Sequence, residues 1–144
     1  MSDLEPRHSI DVHPAGQAER RRLFLLARIA FGDMPGWSDR RTLEALESDV
    51  VFAAWEGGVP AGYAAVRPAA RAHVVEQLLV APGHERRGVG RRLLAYVEGY
   101  AIRERAPAVR IVVERGNEPA RRLYRGLGFV PVADELFELV LPRR

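Results

Sequence analysis

The residues whose types and spacing point most directly to chemistry form a short basic turn, residues 82–91, between an apolar run and a helical pattern. The turn holds Arg86 and Arg87 together with Gly88 and Gly90. The first turn of a helix leaves amide N–H groups unpaired and carries the positive end of the helix dipole, so it can bind a pyrophosphate through its backbone. The two glycines would let phosphates approach. The alternative interpretation is a flexible connection between a strand and a helix.

A second group of candidate residues lies in residues 117–129, which contain Asn117 and Tyr124. Asparagine is a favoured N-cap of a helix. Tyrosine on the apolar stripe of a helix usually serves the core and seeks a partner for its hydroxyl group. From residue type alone, the two are interpreted as a cap and a core residue.

Together the two stretches resemble the GCN5-related N-acetyltransferases. Residues 78–94 are similar to that family's acetyl-CoA-binding motif, in which a strand ending Leu-x-Val-x-Pro leads through a basic x-x-Gly-x-Gly/Ala turn into a long helix. Residues 117–129 match the family signature Asn-x-x-Ala-x-x-Leu-Tyr-x-x-Leu-Gly-Phe at every specified position. The chain departs from the pattern at Glu85, where Gln or Arg is usual, and at Arg86, where a small residue is frequent. Because the turn binds through its backbone, we expect binding to survive.

The resemblance implies an α+β (mixed α/β) fold: a central mixed, mostly antiparallel sheet of about six to seven strands flanked by about four helices. It implies acetyl-CoA as cosubstrate and an amine as acceptor. Asn117 is expected to bind the pantetheine arm, and Tyr124 to protonate the departing thiolate, because a phenol pKa of ~10 keeps it protonated at neutral pH. The residues implied to bind the coenzyme are Leu78, Leu79, Val80, Arg86, Arg87, Gly88, Val89, Gly90, Arg91, Asn117 and Tyr124.

The implied reaction is direct attack of a neutral primary amine on the thioester carbonyl within a ternary complex. No covalent enzyme intermediate is needed. A backbone amide near the end of the preceding strand, at Leu79 or Val80, would stabilise the oxyanion.

The amine is mostly ammonium at neutral pH, so a base is expected nearby. Glu76 is the candidate catalytic base, because the two-residue period of a strand places it on the same face as Leu78 and Val80. In the alternative, Glu76 is a surface or ion-paired carboxylate, and deprotonation runs through ordered water, with His73 or Glu114 as substitutes.

The acceptor itself is not identified by these motifs. Met34, Trp37, Trp55 and Tyr63 are candidates to line an acceptor cleft, although aromatic residues in strands and loops more often serve the core. Family members that acetylate ribosomal-protein N-termini tend to have a glutamate at the position of Val112, which disfavours that subgroup. A small amine, an antibiotic, an amino acid, a peptide terminus and a protein lysine all stay open.

The elements that must position these residues follow from hydrophobic periodicity and from turn and cap residues. Gly57 and Gly58 are expected to close a hairpin with positive φ. Asn117 and either Ser38 or Asp39 are expected to cap helices. Strands are predicted over residues 8–13, 50–55, 59–66, 73–80, 109–113, 129–132 and 136–141, and helices over residues 15–31, 38–46, 88–106 and 117–128.

Composition narrows the classes of function. With 144 residues and 47% hydrophobic content, we expect one N-acetyltransferase domain over residues 1–144. Cysteine is absent and the histidines form no ligand-spaced pair, so no metal site is expected. No run approaches the ~18 apolar residues of a membrane span and no secretory leader is recognisable, so we expect a cytoplasmic protein without a membrane partner. All 22 basic residues are arginine, spread along the chain, so no nucleic-acid partner is expected.

Two other classes of function stay open. One is a non-catalytic acyl-CoA-binding module with the same fold, although the intact Tyr124 argues against it. The other is a regulatory homodimer that pairs through residues 135–141, because an exposed apolar strand edge is a ready interface.

Overall fold

The computed structural model describes residues 9–142, in which seven strands and four helices follow one another in the predicted order. The elements are β1 (Ile10–Pro14), α1 (Gln17–Phe31), α2 (Asp39–Ser48), β2 (Val50–Glu56), β3 (Val59–Pro68), β4 (His73–Val80), α3 (Val89–Arg103), β5 (Ala108–Val112), α4 (Glu118–Gly126), β6 (Val130–Ala133) and β7 (Leu136–Val140). The predicted α+β class is confirmed. His8, predicted to begin the first strand, lies outside the described residues.

The seven strands form one sheet in the order β1-β2-β3-β4-β5-β7-β6. The β4–β5 pair is parallel, and the other pairs within residues 9–142 are antiparallel. Parallel neighbours need a crossover, which α3 supplies. One core cluster, which includes Phe52, Leu93 and Phe137, packs between the sheet and helices α3 and α4. A second, which includes Leu23 and Leu46, packs between the opposite face and helices α1 and α2.

The local signals act as the sequence predicted. Gly57 and Gly58 close the β2–β3 hairpin with φ of 59° and 80°. Ser38 caps α2 by accepting a hydrogen bond from the Arg41 amide, and Asn117 caps α4. None of the helices within residues 9–142 is long and apolar enough to cross a membrane.

β4 and β5 diverge soon after they meet. Residues 73–75 pair with residues 109–111, and the pairing then ends, whereas β4 stays paired with β3 as far as Val80. The second half of β4 therefore has one edge with no strand beside it among the described residues. This open edge is the main feature that positions the candidate site.

The C-terminal strand does not lie at the edge of the sheet. β7 pairs with β5 on one side and with β6 on the other, so the proposed dimer edge over residues 135–141 is wrong for this fold. The outer strand is β6, whose residues are all exposed. Alternation in the sequence identified both strands, but their order depends on long-range pairing that local periodicity does not contain.

Candidate active site

A pocket of about 410 Å³ opens where β4 and β5 diverge. One wall consists of residues 78–80 at the end of β4, residues 112–114, and Asn117 and Tyr124 from α4 and its cap. The opposite wall, called here the acceptor wall, consists of residues 34–38 from the α1–α2 loop together with Thr42, Tyr63 and Gln77. Of the predicted site residues, the pocket brings together Glu76, Leu78, Leu79, Val80, Asn117 and Tyr124. Residues 86–91 lie beyond its lining, in the turn after β4 and the first turn of α3.

The open edge of β4 presents backbone groups at alternate residues. The Ala81 amide donates to the Ala61 carbonyl at 2.8 Å, so its backbone groups turn toward β3. Because this orientation alternates along an antiparallel ladder, Leu79 also turns its N–H toward β3, opposite Tyr63. Val80 consequently turns its N–H toward the opening. Sequence reasoning left Leu79 and Val80 as alternative donors, and the register favours Val80.

The turn between β4 and α3 contains three residues in the left-handed region: Gly83 (φ 88°), Arg86 (φ 63°) and Gly88 (φ 83°). Such turns direct successive N–H groups to one side and form an anion-binding concavity. Gly88 caps α3 without a side-chain hydrogen bond, so the amides of the first helical turn have no acceptor within the helix. Glu85, the departure from the family pattern, accepts a 2.9 Å hydrogen bond from the Gly83 amide. It stabilises the turn.

The two glycines of the turn serve different purposes. A Cβ atom built on Gly88 would meet nothing within 4 Å, so the backbone there is open to a ligand. A Cβ on Gly90 would lie 3.2 Å from Leu123 Cδ2 of α4. The small size of Gly90 therefore lets α4 pack closely against α3, and the expected approach of phosphates to Gly90 stays a prediction. The Gly90 amide still belongs to the first turn of α3.

Arg87 is held by a buried carboxylate. Its guanidinium donates to Glu56 Oε2 at 3.2 Å, while the His84 ring lies 2.7 Å from Glu56 Oε1. These two partners, His84 first, lower the pKa of Glu56. The contacts tie the turn to the end of the β2–β3 hairpin. Arg86 and Arg91 are exposed beside the same turn.

Tyr124 and Asn117 meet the same pocket from α4. The Tyr124 side chain is 5% exposed and packs against the rings of Phe129 and Phe137. Burial raises its pKa to about 12. Asn117 Oδ1 accepts from the Ala120 amide at 3.3 Å, which leaves the amide NH₂ group of Asn117 as a donor for a ligand. Asn117 is thus both a helix cap and a pocket residue, and Tyr124 is both a core residue and a pocket residue.

Glu76 is the extra residue of a β-bulge in β4. Ala65 pairs with Gln77 and Val66 with Val75, so the two-residue alternation is interrupted at Glu76. The expectation that Glu76 shares a face with Leu78 and Val80 is therefore wrong, because the bulge places it on the α2 side of the sheet.

The partners of Glu76 agree with both interpretations made from the sequence. Its carboxylate accepts from Arg67 Nε at 2.5 Å, which is the ion pair of the alternative, and it also lines the pocket. Of the two substitutes for Glu76, Glu114 lines the pocket, whereas His73 is buried against Tyr100 outside its lining. Glu76 remains the candidate base.

The acceptor wall contains three of the four predicted residues. Met34, Trp37 and Tyr63 line it, and the Trp37 indole donates to Asp39 Oδ1 at 2.6 Å. Trp55 lies elsewhere, stacked on His13. No group of three His, Cys, Asp or Glu side chains placed to hold a metal ion occurs within residues 9–142.

Sequence reasoning missed three polar residues near this wall: Thr42, Asp49 and Gln77. Gln77 donates from Nε2 to Thr42 Oγ1 at 3.0 Å, and Asp49 is a buried acid at the end of α2. The signal for Gln77 was a second consecutive polar residue in an apolar strand. No sequence pattern singled out Thr42 or Asp49.

Comparison with known proteins agrees with this geometry. Residues 20–129 match the family model described as the acetyltransferase (GNAT) family. Streptothricin acetyltransferase from Streptomyces lavendulae is 34% identical over 94 residues, which are 64% of this chain and 46% of that protein. The chain thus matches less than half the length of this relative.

Two solved structures show the same fold at low identity. The ribosomal-protein-S18-alanine N-acetyltransferase from Escherichia coli superimposes with a TM-score of 0.76 at 19% identity, covering 94% of each chain. A GNAT-family acetyltransferase from Brucella melitensis, solved in complex with acetyl-CoA, gives 0.74 at 16% identity and covers 95% of this chain and 92% of its own.

Proposed function

Since this chain belongs to the acetyltransferase (GNAT) family, we propose that it transfers an acetyl group from acetyl-CoA to a primary amine by direct attack in a ternary complex. One observation carries the proposal: the open edge of β4 and the Tyr124 side chain line a single pocket. This arrangement supports a site in which an oxyanion donor and a proton donor act on the same thioester. A cytoplasmic location and a single domain over residues 1–144 are part of the same proposal.

The turn between β4 and α3 and the open edge of β4 would bind chemically different parts of the coenzyme. The amides of residues 86–91, at the positive end of α3, bind the pyrophosphate, with Arg86 and Arg91 exposed beside it. The backbone of Leu78 and the carbonyl group of Val80 bind the amide groups of the pantetheine arm as an added strand would. The Asn117 amide NH₂ group donates to the same arm.

Val80 and Tyr124 act on the reacting bonds. The Val80 N–H donates to the thioester oxygen as negative charge develops there. Tyr124 donates its proton to the sulfur as the carbon–sulfur bond breaks, and a pKa of about 12 keeps the phenol protonated until that moment. An ammonium acceptor loses two protons in forming the amide. One passes to the base, Glu76, and then to water, and the other restores the phenol through water.

A thiol-release assay tests the proposal directly. The chain has no cysteine, so a thiol reagent reports only the coenzyme product without a protein background. The acceptor panel should include streptothricin, because one relative bears its name, together with an aminoglycoside, free amino acids and peptides with a free N-terminus or lysine. We expect thiol release that depends on at least one amine, with a matching acetylated product. Binding of acetyl-CoA without release for any amine would instead support the non-catalytic module.

A further inference from the structure

Two carboxylates meet behind the acceptor wall. Asp49, at the C-terminal end of α2, is 6% exposed, and its buried Oδ2 atom has no hydrogen-bond donor among the described side chains and backbone groups of residues 9–142. The bulge that displaces the Glu76 carboxylate to this side lies opposite Val66, and Val66 pairs on its other edge with Val50, the residue after Asp49. Two deprotonated carboxylates only accept hydrogen bonds, so they cannot satisfy one another. A single proton between them would supply the missing donor.

The charges around the pair come from each element packed against it. Arg67 on β3 donates to Glu76 Oε1 at 2.5 Å. Arg20 on α1 donates to the Asp49 backbone carbonyl at 2.9 Å. Both cations lower the pKa of Asp49, but burial first and the charge of Glu76 second outweigh them and raise it to about 6. The surroundings thus neutralise part of the pair's charge, and the pair holds one proton in common below about pH 6.

We propose that Asp49 and Glu76 share one proton and that Asp49 acts as a positioning residue, which holds together with Glu76 the proton that Glu76 takes from the incoming ammonium. The catalytic part of this inference rests on the proposed function. Glu76 lines the pocket and receives the proton from the acceptor nitrogen, whose lone pair is thereby freed for attack. The proton is held between the two carboxylates and then leaves to water in the pocket. Asp49 touches neither substrate.

Whether Asp49 and Glu76 share a proton depends on pH. Below about pH 6 the pair already holds its proton and cannot accept one from the substrate. Above that pH the pair is empty and ready. In Asp49→Asn, Glu76 keeps its Arg67 partner and loses its like-charged neighbour. The pair can then no longer share a proton, and the active range extends to lower pH.

Carboxyl ¹³C NMR of the full-length chain tests the shared proton without any need for turnover. We expect Asp49 to titrate near pH 6, and Glu76→Gln to lower this midpoint by about one unit. The matched substitution Glu98→Gln on α3 should leave it unchanged. A midpoint near 3.8, or one that Glu76→Gln does not move, would overturn the proposal.

The pH profile of kcat then tests the catalytic part. Asp49→Asn should move the acidic limb about one unit lower and reduce kcat several-fold at pH 7.5. Asp134→Asn, in the exposed turn before β7, is the matched control. If the acidic limb of the Asp49→Asn variant stayed at the wild-type pH, the role of Asp49 as a positioning residue would be overturned. If the wild-type chain acetylates no amine, the proposed function fails, and the NMR titration still decides whether the carboxylates share a proton.

Discussion

The Tyr63 hydroxyl donates a 2.8 Å hydrogen bond to Gln77 Oε1, and Gln77 Nε2 donates in turn to Thr42 Oγ1 at 3.0 Å. This chain of side chains joins β3, β4 and α2 at the acceptor wall. Tyr63 is fully buried, and burial raises the pKa of its hydroxyl group, so it stays a donor at any working pH. The Gln77 amide is therefore fixed in one orientation.

Tyr63→Phe should weaken binding of the amine more than binding of the coenzyme. The change leaves Gln77 Oε1 without its donor, and we expect a loss of about 1 kcal/mol in the free energy of unfolding. The KM for the amine should rise several-fold while the KM for acetyl-CoA stays constant, as measured by steady-state kinetics. Tyr96→Phe, on α3 and outside the pocket lining, is the control. A parallel rise in both KM values would contradict this role.

Tyr124→Phe should affect chemistry and spare binding. The phenyl ring preserves the packing on Phe129 and Phe137, but no proton donor remains for the departing thiolate. We expect kcat to fall by about 10²-fold. The affinity for coenzyme A, measured by calorimetry, should not change. If affinity and kcat fell together, Tyr124 would be a binding residue and not the acid.

Gly88→Ala should weaken coenzyme binding through backbone strain alone. The added Cβ meets no atom within 4 Å, but φ is 83°, a conformation that costs an alanine roughly 1–2 kcal/mol. Relaxation of this strain would turn the first amides of α3 away from the pyrophosphate. Gly126→Ala, within α4 and equally free of contacts, should instead stabilise the fold by roughly 0.5–1 kcal/mol. Thermal unfolding and coenzyme titration of both variants separate the two effects.

The Glu56 contacts with His84 and Arg87 should make stability depend on pH. The folded-state pKa of Glu56 lies below its ordinary value of 4.5, so its contribution is present above that value and is lost as pH falls through the lowered pKa. Glu56→Gln should therefore lower Tm at neutral pH and have a smaller effect as the pH falls below 4.5. Glu135→Gln, at an exposed carboxylate paired with Arg115, is the matched control. A Tm difference that is constant with pH would exclude this origin.

The sequence predicted those features whose causes are local. Gly57 and Gly58 specify a hairpin because few other residues adopt positive φ, and Asn117 specifies the start of a helix. The position of Glu76 could not be obtained in this way, because a bulge inserts one residue and reverses every face assignment that follows. Asp49 stands at an ordinary helix end in the sequence, and only tertiary packing places its carboxylate beside Glu76.

Because β4 diverges from β5, the two edges of the second half of β4 differ in their hydrogen bonding. Toward β3 its amides are hydrogen-bonded in the ladder, whereas toward the opening the amides of Leu78 and Val80 face no paired strand within residues 9–142. Hydrogen–deuterium exchange should therefore be slow at Leu79 and fast at its two neighbours in the free protein. A bound coenzyme would erase this residue-by-residue contrast. Hydrogen–deuterium exchange at these three amides would therefore report coenzyme binding in the absence of an acceptor amine.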